Sequence, residues 1–282
     1  MAVPRITLND GHTIPQLGFG VYQVDPSDAV ETISEALNIG YRHIDTAEMY
    51  QNESQVGEAI TQSGIPRDEI FITSKLNNGY HKPDDARKAF AETLEKLGTD
   101  YVDLFLIHWP MPGEYNGDFV QTWKVFEELQ QQGQARSIGV SNFQVAHLQQ
   151  LLDETTVVPA VNQIELHPYF TNDEVKQFGE SHGIMTEAWS PIAQGGVLED
   201  ETITSIAKEY GKTPAQVVLR WHIQCGNIIF PKSSTPERIA ENFAIFDFEL
   251  SSDEVLAIGS LNKGESGRNG PNPDTFNMIP SN

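Results

Sequence analysis

The sequence predicts an α/β fold, a (β/α)8 TIM barrel with an N-terminal β-hairpin and an irregular C-terminal tail. Eight short, apolar, β-rich runs follow one another along the chain, and amphipathic stretches with apolar residues at three- and four-residue spacing separate them. Strands that alternate with helices form a parallel sheet, and eight such units favour a sheet that closes on itself. A doubly wound open sheet is the structural alternative.

The elements follow in order from a hairpin that turns at Asn9-Asp10-Gly11. The predicted strands span residues 17–21, 41–45, 70–75, 102–108, 136–141, 160–165, 184–189 and 228–231. Helical periodicity is clear over residues 27–38, 84–97, 119–132 and 145–152. Glycines stand just past helices, where a left-handed cap favours them: Gly40, Gly64, Gly98, Gly133, Gly183 and Gly226. Residues 261–282 form the tail, and no linker divides the chain, so we expect one domain over residues 1–282.

The chain is strongly acidic, with 40 acidic and 18 basic side chains and a formal net charge of −22. This charge excludes an obligate nucleic-acid binder, because counterion release needs clustered Lys and Arg, and it argues against an anionic membrane as a partner. Cys225 is the only cysteine, which suits a reducing compartment. The sequence shows no apolar leader, no membrane-length apolar run and no metal-ligand spacing, so we expect a cytoplasmic monomer without a metal.

Polar and titratable residues stand where the predicted strands end, and in a barrel these ends share one face. Asp45, Lys75 and His108 occupy such positions, and Tyr50 follows Asp45 by five residues. A lysine ammonium beside a phenol stabilises the phenolate and lowers the pKa of Tyr50, while Asp45 would keep the lysine charged. His108 could direct a substrate oxygen toward the phenol. The group suits protonation of a carbonyl oxygen rather than acyl transfer, because it holds no nucleophile with a matched base.

Carbonyl reduction also needs a hydride donor, and a candidate binding site for one follows the last strand. The dinucleotide fingerprint fails at Gln23. In contrast, Thr235 and Pro236 predict the N-cap and first position of a helix whose entrance carries Lys232 and Arg238. A helix N-terminus with two cations can bind a phosphate on the side of the barrel where phosphates often bind. A plain capped surface helix is the alternative.

Five motifs, spread nearly from end to end, resemble those of the aldo-keto reductases, particularly the bacterial branch that includes 2,5-diketo-D-gluconate reductases. They are GYRHIDTAEMYQNE (residues 40–53), LIHWP (106–110), GVSNF (139–143), NQIELHP (162–168) and the segment that begins IFPKS (229–242). The resemblance implies a barrel that uses NADPH without a separate dinucleotide-binding domain. It also implies that Tyr50 is the general acid, that Asp45 and Lys75 tune it, and that His108 orients the carbonyl.

The same resemblance implies which residues hold the cofactor. Ser141, Asn142 and Gln163 would hold the nicotinamide carboxamide, Trp189 would stack on the ring, and Ser190 with its loop would cover the pyrophosphate. The 2′-phosphate would be bound by Lys232, Ser233, Thr235 and Arg238, and the adenine by Glu241 and Asn242.

For the substrate, the resemblance implies pocket walls from Tyr22, Trp109 and the tail, where GPNPDTF (270–276) is similar to that branch. Close relatives often read Lys-Leu-Trp-Asn where this chain has Lys75-Leu-Asn-Asn78. Without that tryptophan we expect a more open and more polar pocket, with small aldehydes and dicarbonyls beside sugar keto acids as candidate substrates.

Other functions compete with this interpretation. Glu165 and Glu187 could form the carboxylate pair of a glycosidase, although Glu187 lies two residues before Trp189 and fits a polar barrel interior better. A Schiff-base aldolase would need a neutral Lys75, which Asp45 opposes. A non-catalytic NADP(H)-binding redox sensor or structural protein would not need all four residues of the proton-transfer group.

Overall fold

Eight parallel strands form one sheet in sequential order in the computed structural model, which describes residues 2–280. The chain opens with an antiparallel hairpin of β1 (Arg5–Thr7) and β2 (Thr13–Pro15). The barrel strands are β3 (Phe19–Gly20), β4 (His43–Asp45), β5 (Phe71–Leu76), β6 (Val102–Ile107), β7 (Ala135–Ser141), β8 (Val161–Glu165), β9 (Met185–Trp189) and β10 (Ile228–Ile229).

The sheet closes between its first and last strands. Leu17 and Ile229 form a parallel bridge, the Gly18 N–H donates to the Ile229 carbonyl at 2.7 Å, and the Ile229 N–H donates to the Gln16 carbonyl at 3.0 Å. The predicted closed barrel is therefore confirmed, and the open doubly wound sheet is wrong. The last strand is shorter than the predicted 228–231 and ends at Ile229, although the Pro231 carbonyl still accepts from the Gly20 N–H at 3.4 Å.

Helices follow the barrel strands and cover the outside of the sheet. In residues 2–280 they are α1 (Pro26–Ile39), α2 (Glu53–Ser63), α3 (Pro83–Leu97), α4 (Phe119–Gln131), α5 (Val145–Glu154), α6 (Asp173–Ser181), α7 (Glu201–Tyr210), α8 (Pro214–Gln224), α9 (Pro236–Phe243) and α10 (Ser252–Gly259). The six predicted glycine positions all have positive φ, as at Gly64, where φ is 66° at the end of α2. None of the helices in residues 2–280 has the length and apolar character needed to cross a membrane.

Apolar side chains fill the space between sheet and helices and also seal one end of the barrel. Leu8 and Ile14 of the hairpin pack against Phe71, Leu104 and Val161 at the N-terminal ends of the strands. The hairpin therefore covers the N-terminal ends of the strands, and the C-terminal ends form the opposite side of the barrel, which we call the rim. The tail crosses the rim, and its last two residues, 281–282, lie outside the described residues.

Candidate active site

Three of the predicted proton-transfer residues come from neighbouring strands at the rim. Asp45 ends β4, Lys75 lies in β5 next to it, and His108 follows β6 directly. Tyr50 belongs to a short 3-10 turn, Glu48–Tyr50, that begins just after β4. The structure therefore brings together the four residues that the sequence singles out.

Lys75 is the centre of this group and is fully buried. Its Nζ donates to Asp45 Oδ1 at 2.7 Å, to the Thr46 carbonyl at 2.9 Å and to Tyr50 Oη at 3.3 Å. Three acceptors match the three hydrogens of an ammonium group. Burial lowers the pKa of Lys75, but Asp45, together with Tyr50 and Glu187, outweighs that effect and leaves the pKa above its ordinary value. Lys75 is thus a charged donor held against the phenol.

The pKa of Tyr50 differs from the sequence expectation. Burial raises it to about 12, and the Lys75 ammonium, which acts in the opposite direction, offsets only part of that rise. The expectation that Lys75 brings the net pKa below the ordinary value of a tyrosine is therefore wrong for this structure. Desolvation of the phenol among Tyr22, His108 and Lys75 is the larger effect.

His108 faces Tyr50 across the site, with ring centroids 5.8 Å apart. Burial and the positive charge of Lys75 place the pKa of His108 well below its usual value, so the imidazole is neutral. Its Nδ1 is sealed from solvent without a hydrogen-bond partner in residues 2–280. A neutral imidazole next to a phenol can donate one N–H to a carbonyl oxygen that the phenol also contacts.

The predicted nicotinamide residues form one hydrogen-bonded group after β7. Asn142 has φ of 65°, a left-handed conformation that is rare outside glycine and is common at functional sites. Its Nδ2 donates to the His108 carbonyl at 3.0 Å and to Ser141 Oγ at 3.1 Å, and its Oδ1 accepts from Trp189 Nε1 at 2.8 Å. Ser141 Oγ in turn donates to the Gln163 carbonyl at 2.8 Å. The hydrogen bond from Trp189 holds the indole ring next to the side-chain amide of Asn142.

Gln163 lies deeper, between two carboxyl groups. Its Nε2 donates to Asp45 Oδ2 and to Glu187 Oε2, both at 2.8 Å. Sequence reasoning placed Glu187 in a polar barrel interior but missed that it shares Gln163 with Asp45. The strand register would have predicted this contact, because Gln163 of β8 stands opposite Glu187 of β9.

The predicted phosphate site lies at the start of α9. Thr235 occupies the N-cap position before Pro236, as predicted, but its side chain makes no capping hydrogen bond. Its N–H donates instead to Ser233 Oγ at 3.1 Å. Lys232 and Arg238 are exposed and form no ion pair within residues 2–280. The helix entrance keeps its backbone donors and two cations available for an anion.

The other residues predicted to bind the cofactor differ in their burial and in the hydrogen bonds that they already form within the protein. Glu241 accepts a hydrogen bond from Thr213 Oγ1 at 2.7 Å, so its carboxylate already binds the cap of α8. Asn242 is buried in α9. Ser190, with φ of 49°, begins the loop after β9, where the Ala193 N–H donates to its carbonyl at 2.8 Å.

Aromatic side chains stand around the mouth of the site. Tyr22 is 56% exposed and its ring centroid lies 5.1 Å from that of Tyr50. Trp109 packs against Phe276 of the tail, with ring centroids 4.2 Å apart and ring planes inclined at 45°. Asn77, where the sequence lacks a tryptophan, donates to Glu48 and accepts from the Gly79 N–H, so this wall is polar.

The tail is fastened to the rim by Glu165, a role that sequence reasoning missed. Its carboxylate accepts from the Asn269 N–H at 2.6 Å and the Gly270 N–H at 2.9 Å, and His167 Nε2 lies 3.0 Å from it. A Cβ at Gly270 would overlap the ring of Trp189.

The glycosidase alternative needs two carboxyl groups that are free to act on a substrate, whereas Glu165 and the buried Glu187 both have partners within the protein. Among residues 2–280 no three His, Cys, Asp or Glu side chains converge in a metal-binding group.

Comparison with known proteins agrees with this geometry. The model of the "Aldo/keto reductase family" matches residues 16–263. The chain is 54% identical over 275 residues to an aldo-keto reductase from Mycolicibacterium smegmatis, with 98% of both chains covered. It is 48% identical over 279 residues to the methylglyoxal reductase DkgA of Escherichia coli, with 98% of this chain and 99% of that one covered.

Among solved structures, a point mutant of Gox0644 in complex with NADPH is similar, with a TM-score of 0.93, 44% identity, and 98% of this chain and 99% of that one covered. Fold, site and sequence agree over nearly the whole length, and the chain belongs to the aldo/keto reductase family.

Proposed function

We propose that this protein reduces small aldehydes and dicarbonyl compounds to alcohols, with NADPH as hydride donor and Tyr50 as general acid. Its family makes it an NADP-dependent oxidoreductase. The observation that carries the proposal is the contact of one buried ammonium, Lys75, with both Asp45 at 2.7 Å and Tyr50 at 3.3 Å. This pairing of a charged donor with a phenol suits proton transfer to oxygen.

The residues at the rim fit NADPH. The Gln163 amide nitrogen donates to two carboxyl groups, which leaves its oxygen to accept from a carboxamide N–H. Asn142 Oδ1 accepts from Trp189 Nε1 and has a second lone pair for such a donor. Trp189 is half-buried, so part of its ring can stack on a nicotinamide. The entrance of α9, with Lys232 and Arg238, suits a 2′-phosphate and favours NADPH over NADH. Bound NADPH supplies a hydride to the carbonyl carbon.

Tyr50 then delivers the proton. A pKa of about 12 keeps the phenol protonated at neutral pH, as an acid must be. When the proton moves from Tyr50 Oη to the carbonyl oxygen, the Lys75 ammonium at 3.3 Å stabilises the phenolate that remains. Neutral His108 donates an N–H to the same carbonyl oxygen and orients it, and Asp45 keeps Lys75 charged and in place.

The walls of the pocket support small, polar substrates. Tyr22, Trp109 and Phe276 supply aromatic surface, and the Asn77–Glu48 pair supplies a polar side. The relative from Escherichia coli carries the name methylglyoxal reductase, and methylglyoxal is a small dicarbonyl compound. We therefore favour small dicarbonyls over sugar keto acids for this chain.

A carbonyl panel tests the proposal. With NADPH, small dicarbonyls should be reduced with higher kcat/KM than bulky aromatic aldehydes, and NADH should support the reaction poorly. If bulky aromatic aldehydes were turned over far better, the polar pocket would be the wrong assignment.

Tyr50→Phe tests the assignment of the acid. This variant should abolish NADPH consumption and leave NADP⁺ binding intact, because phenylalanine keeps the shape of the ring and lacks the hydroxyl proton. Retained turnover would overturn the assignment of Tyr50 as the acid.

Two further expectations remain predictions. A single cysteine suits the cytoplasm, and localisation of a tagged chain would check it. The protein is expected to be a monomer, which light scattering coupled to gel filtration would measure.

A further inference from the structure

Gln163 and Glu187 form a pair just below the proton-transfer residues, and its geometry fixes the amide of Gln163. The Nε2 atom lies 2.8 Å from both Asp45 Oδ2 and Glu187 Oε2, so its two hydrogens are both used. The opposite orientation would point the amide oxygen at an oxygen of the Asp45 carboxyl group, which already accepts from the Lys75 ammonium at 2.7 Å through its other oxygen. The oxygen of Gln163 therefore faces away from both carboxyl groups, and it is not among the sealed polar atoms without a partner.

Charge balance decides which carboxyl holds a proton. Asp45 and Lys75 cancel each other, and both are fully buried. Glu187 is also fully buried but has no cation of its own, because its basic neighbour is His43, with Nε2 at 3.7 Å from Oε1. Burial lowers the pKa of His43 to about 3, so this imidazole is neutral. Burial and the charge of Asp45 raise the pKa of Glu187 to about 8. At neutral pH Glu187 is the protonated member of the pair.

We propose that Glu187 is a positioning residue: it accepts a hydrogen bond from Gln163, holds this side chain against Asp45, and so presents the Gln163 amide oxygen to the carboxamide N–H of NADPH. This inference rests on the proposed function, since it needs the nicotinamide to lie at the rim beside Trp189. Gln163 then connects the nicotinamide group to Asp45 by a hydrogen bond, and Asp45 is connected through Lys75 to Tyr50. Without Glu187 the amide of Gln163 has a single anchor and can rotate.

Binding measurements with two ligands test the role. Glu187→Met removes the acceptor at nearly constant length, and Glu187→Gln keeps a neutral acceptor. NADP⁺ carries the carboxamide, whereas 2′-phospho-ADP-ribose lacks it, and tryptophan fluorescence reports the binding of each. We expect Glu187→Met to weaken NADP⁺ by roughly fivefold to tenfold and 2′-phospho-ADP-ribose hardly at all. Glu187→Gln should recover most of the NADP⁺ affinity. Equal weakening of both ligands, or no weakening of NADP⁺, would overturn the proposal.

A pH titration of the wild-type protein and Glu187→Gln tests the protonation state even if Glu187→Met does not fold. Asp45, Lys75 and His43 are the charged and titratable groups that face Glu187. The pKa of Lys75 lies above its ordinary value and that of His43 is about 3, so neither group titrates between about pH 7 and 9.5. Asp45 is paired with Lys75 in both proteins, so the Glu187→Gln titration measures the contribution of Asp45 as a control.

Ionised Glu187 adds a negative charge near the ring, which is positive in NADP⁺ and neutral in NADPH. The ratio of Kd for NADPH to Kd for NADP⁺ should therefore rise through about pH 8 in the wild type and stay flat in Glu187→Gln. A flat wild-type curve, or the same rise in both proteins, would contradict a protonated Glu187. Absence of NADP⁺ binding or turnover in the wild type would instead refute the proposed function, so the two failures are distinguishable.

Discussion

Lys75 is the residue on which the whole site depends, because it neutralises a carboxylate that is fully buried. Asp45 retains two hydrogen-bond partners, Lys75 Nζ and Gln163 Nε2, but Lys75 is its only cation within residues 2–280. Burial raises the pKa of Asp45, and Lys75 acts against that rise. The same ammonium therefore contacts Tyr50, the proposed acid, and stabilises the barrel.

Replacing this lysine should destabilise the protein as well as inactivate it. Lys75→Met leaves Asp45 buried without a cation, and we expect the free energy of unfolding in urea at neutral pH to fall by about 3–5 kcal/mol. Since the pKa of the unpaired Asp45 rises further, the penalty should shrink as the pH falls and Asp45 takes up a proton. Lys88→Met is the matched control, because Lys88 is 79% exposed and should matter little. Equal destabilisation by both variants would contradict the argument.

At the scale of elements, the N-terminus of α9 and its two exposed cations, Lys232 and Arg238, are the proposed binding site for the 2′-phosphate. Arg238→Ala removes one charge-assisted contact, so we expect Kd for NADPH to rise by roughly 10- to 100-fold and Kd for NADH to change little. Lys208→Ala, at the exposed end of α7, is a control for the loss of one positive charge. An equal loss for both cofactors would mean that the 2′-phosphate binds elsewhere.

The tail is a second element whose position depends on one side chain. Burial raises the pKa of Glu165, but hydrogen bonds from His167 and from the Asn269 and Gly270 N–H groups outweigh it and leave the pKa below its usual value. A carboxylate of this kind stabilises the folded tail above its unfolded pKa of about 4.3, and the contribution is lost as pH falls through the lower folded value.

Glu165→Gln should therefore release the tail at neutral pH. We expect hydrogen exchange of the Asn269 and Gly270 amides to speed up roughly tenfold, since a neutral amide is a weaker acceptor than a carboxylate. In the wild-type protein the same release should appear only in acid. Glu199→Gln, at an exposed position in the loop after β9, should leave both amides protected. Unchanged exchange in Glu165→Gln would show that other tail contacts suffice, among them the Trp109–Phe276 contact.

For the whole molecule, the net charge of −22 predicts a dependence on salt. Carboxylates that repel one another across the surface are screened once the Debye length falls from about 30 Å to about 8 Å, between about 0.01 M and 0.15 M salt. We expect Tm to rise by roughly 2–4 °C over this range, with NaCl and KCl alike. A Tm that falls or stays constant would show that local pairing already balances the surface charge.

Local sequence patterns were enough to predict the class of the fold and to single out four residues that the structure brings together at the rim. Alternating strands and helices, with glycines after the helices, require only local periodicity and backbone preferences, which neighbouring residues encode. Asp45, Lys75 and His108 were also predictable, because every strand of a parallel barrel ends at the same rim. Strand ends were predicted less well, since the last hydrogen bond of a ladder depends on a partner far along the chain, as at Ile229.

The electrostatics, in contrast, depend on the tertiary structure. The pKa of Tyr50 rises to about 12 because desolvation exceeds the attraction of Lys75, and the balance depends on how densely distant segments pack around the phenol. Likewise, the bonds from Gln163 to Glu187 and from Glu165 to residues 269–270 join positions 24 and 104–105 residues apart. Sequence periodicity indicates which face of a strand is buried. The distances between side chains and the polarity of their surroundings, which set the pKa values, are determined only when the barrel has closed.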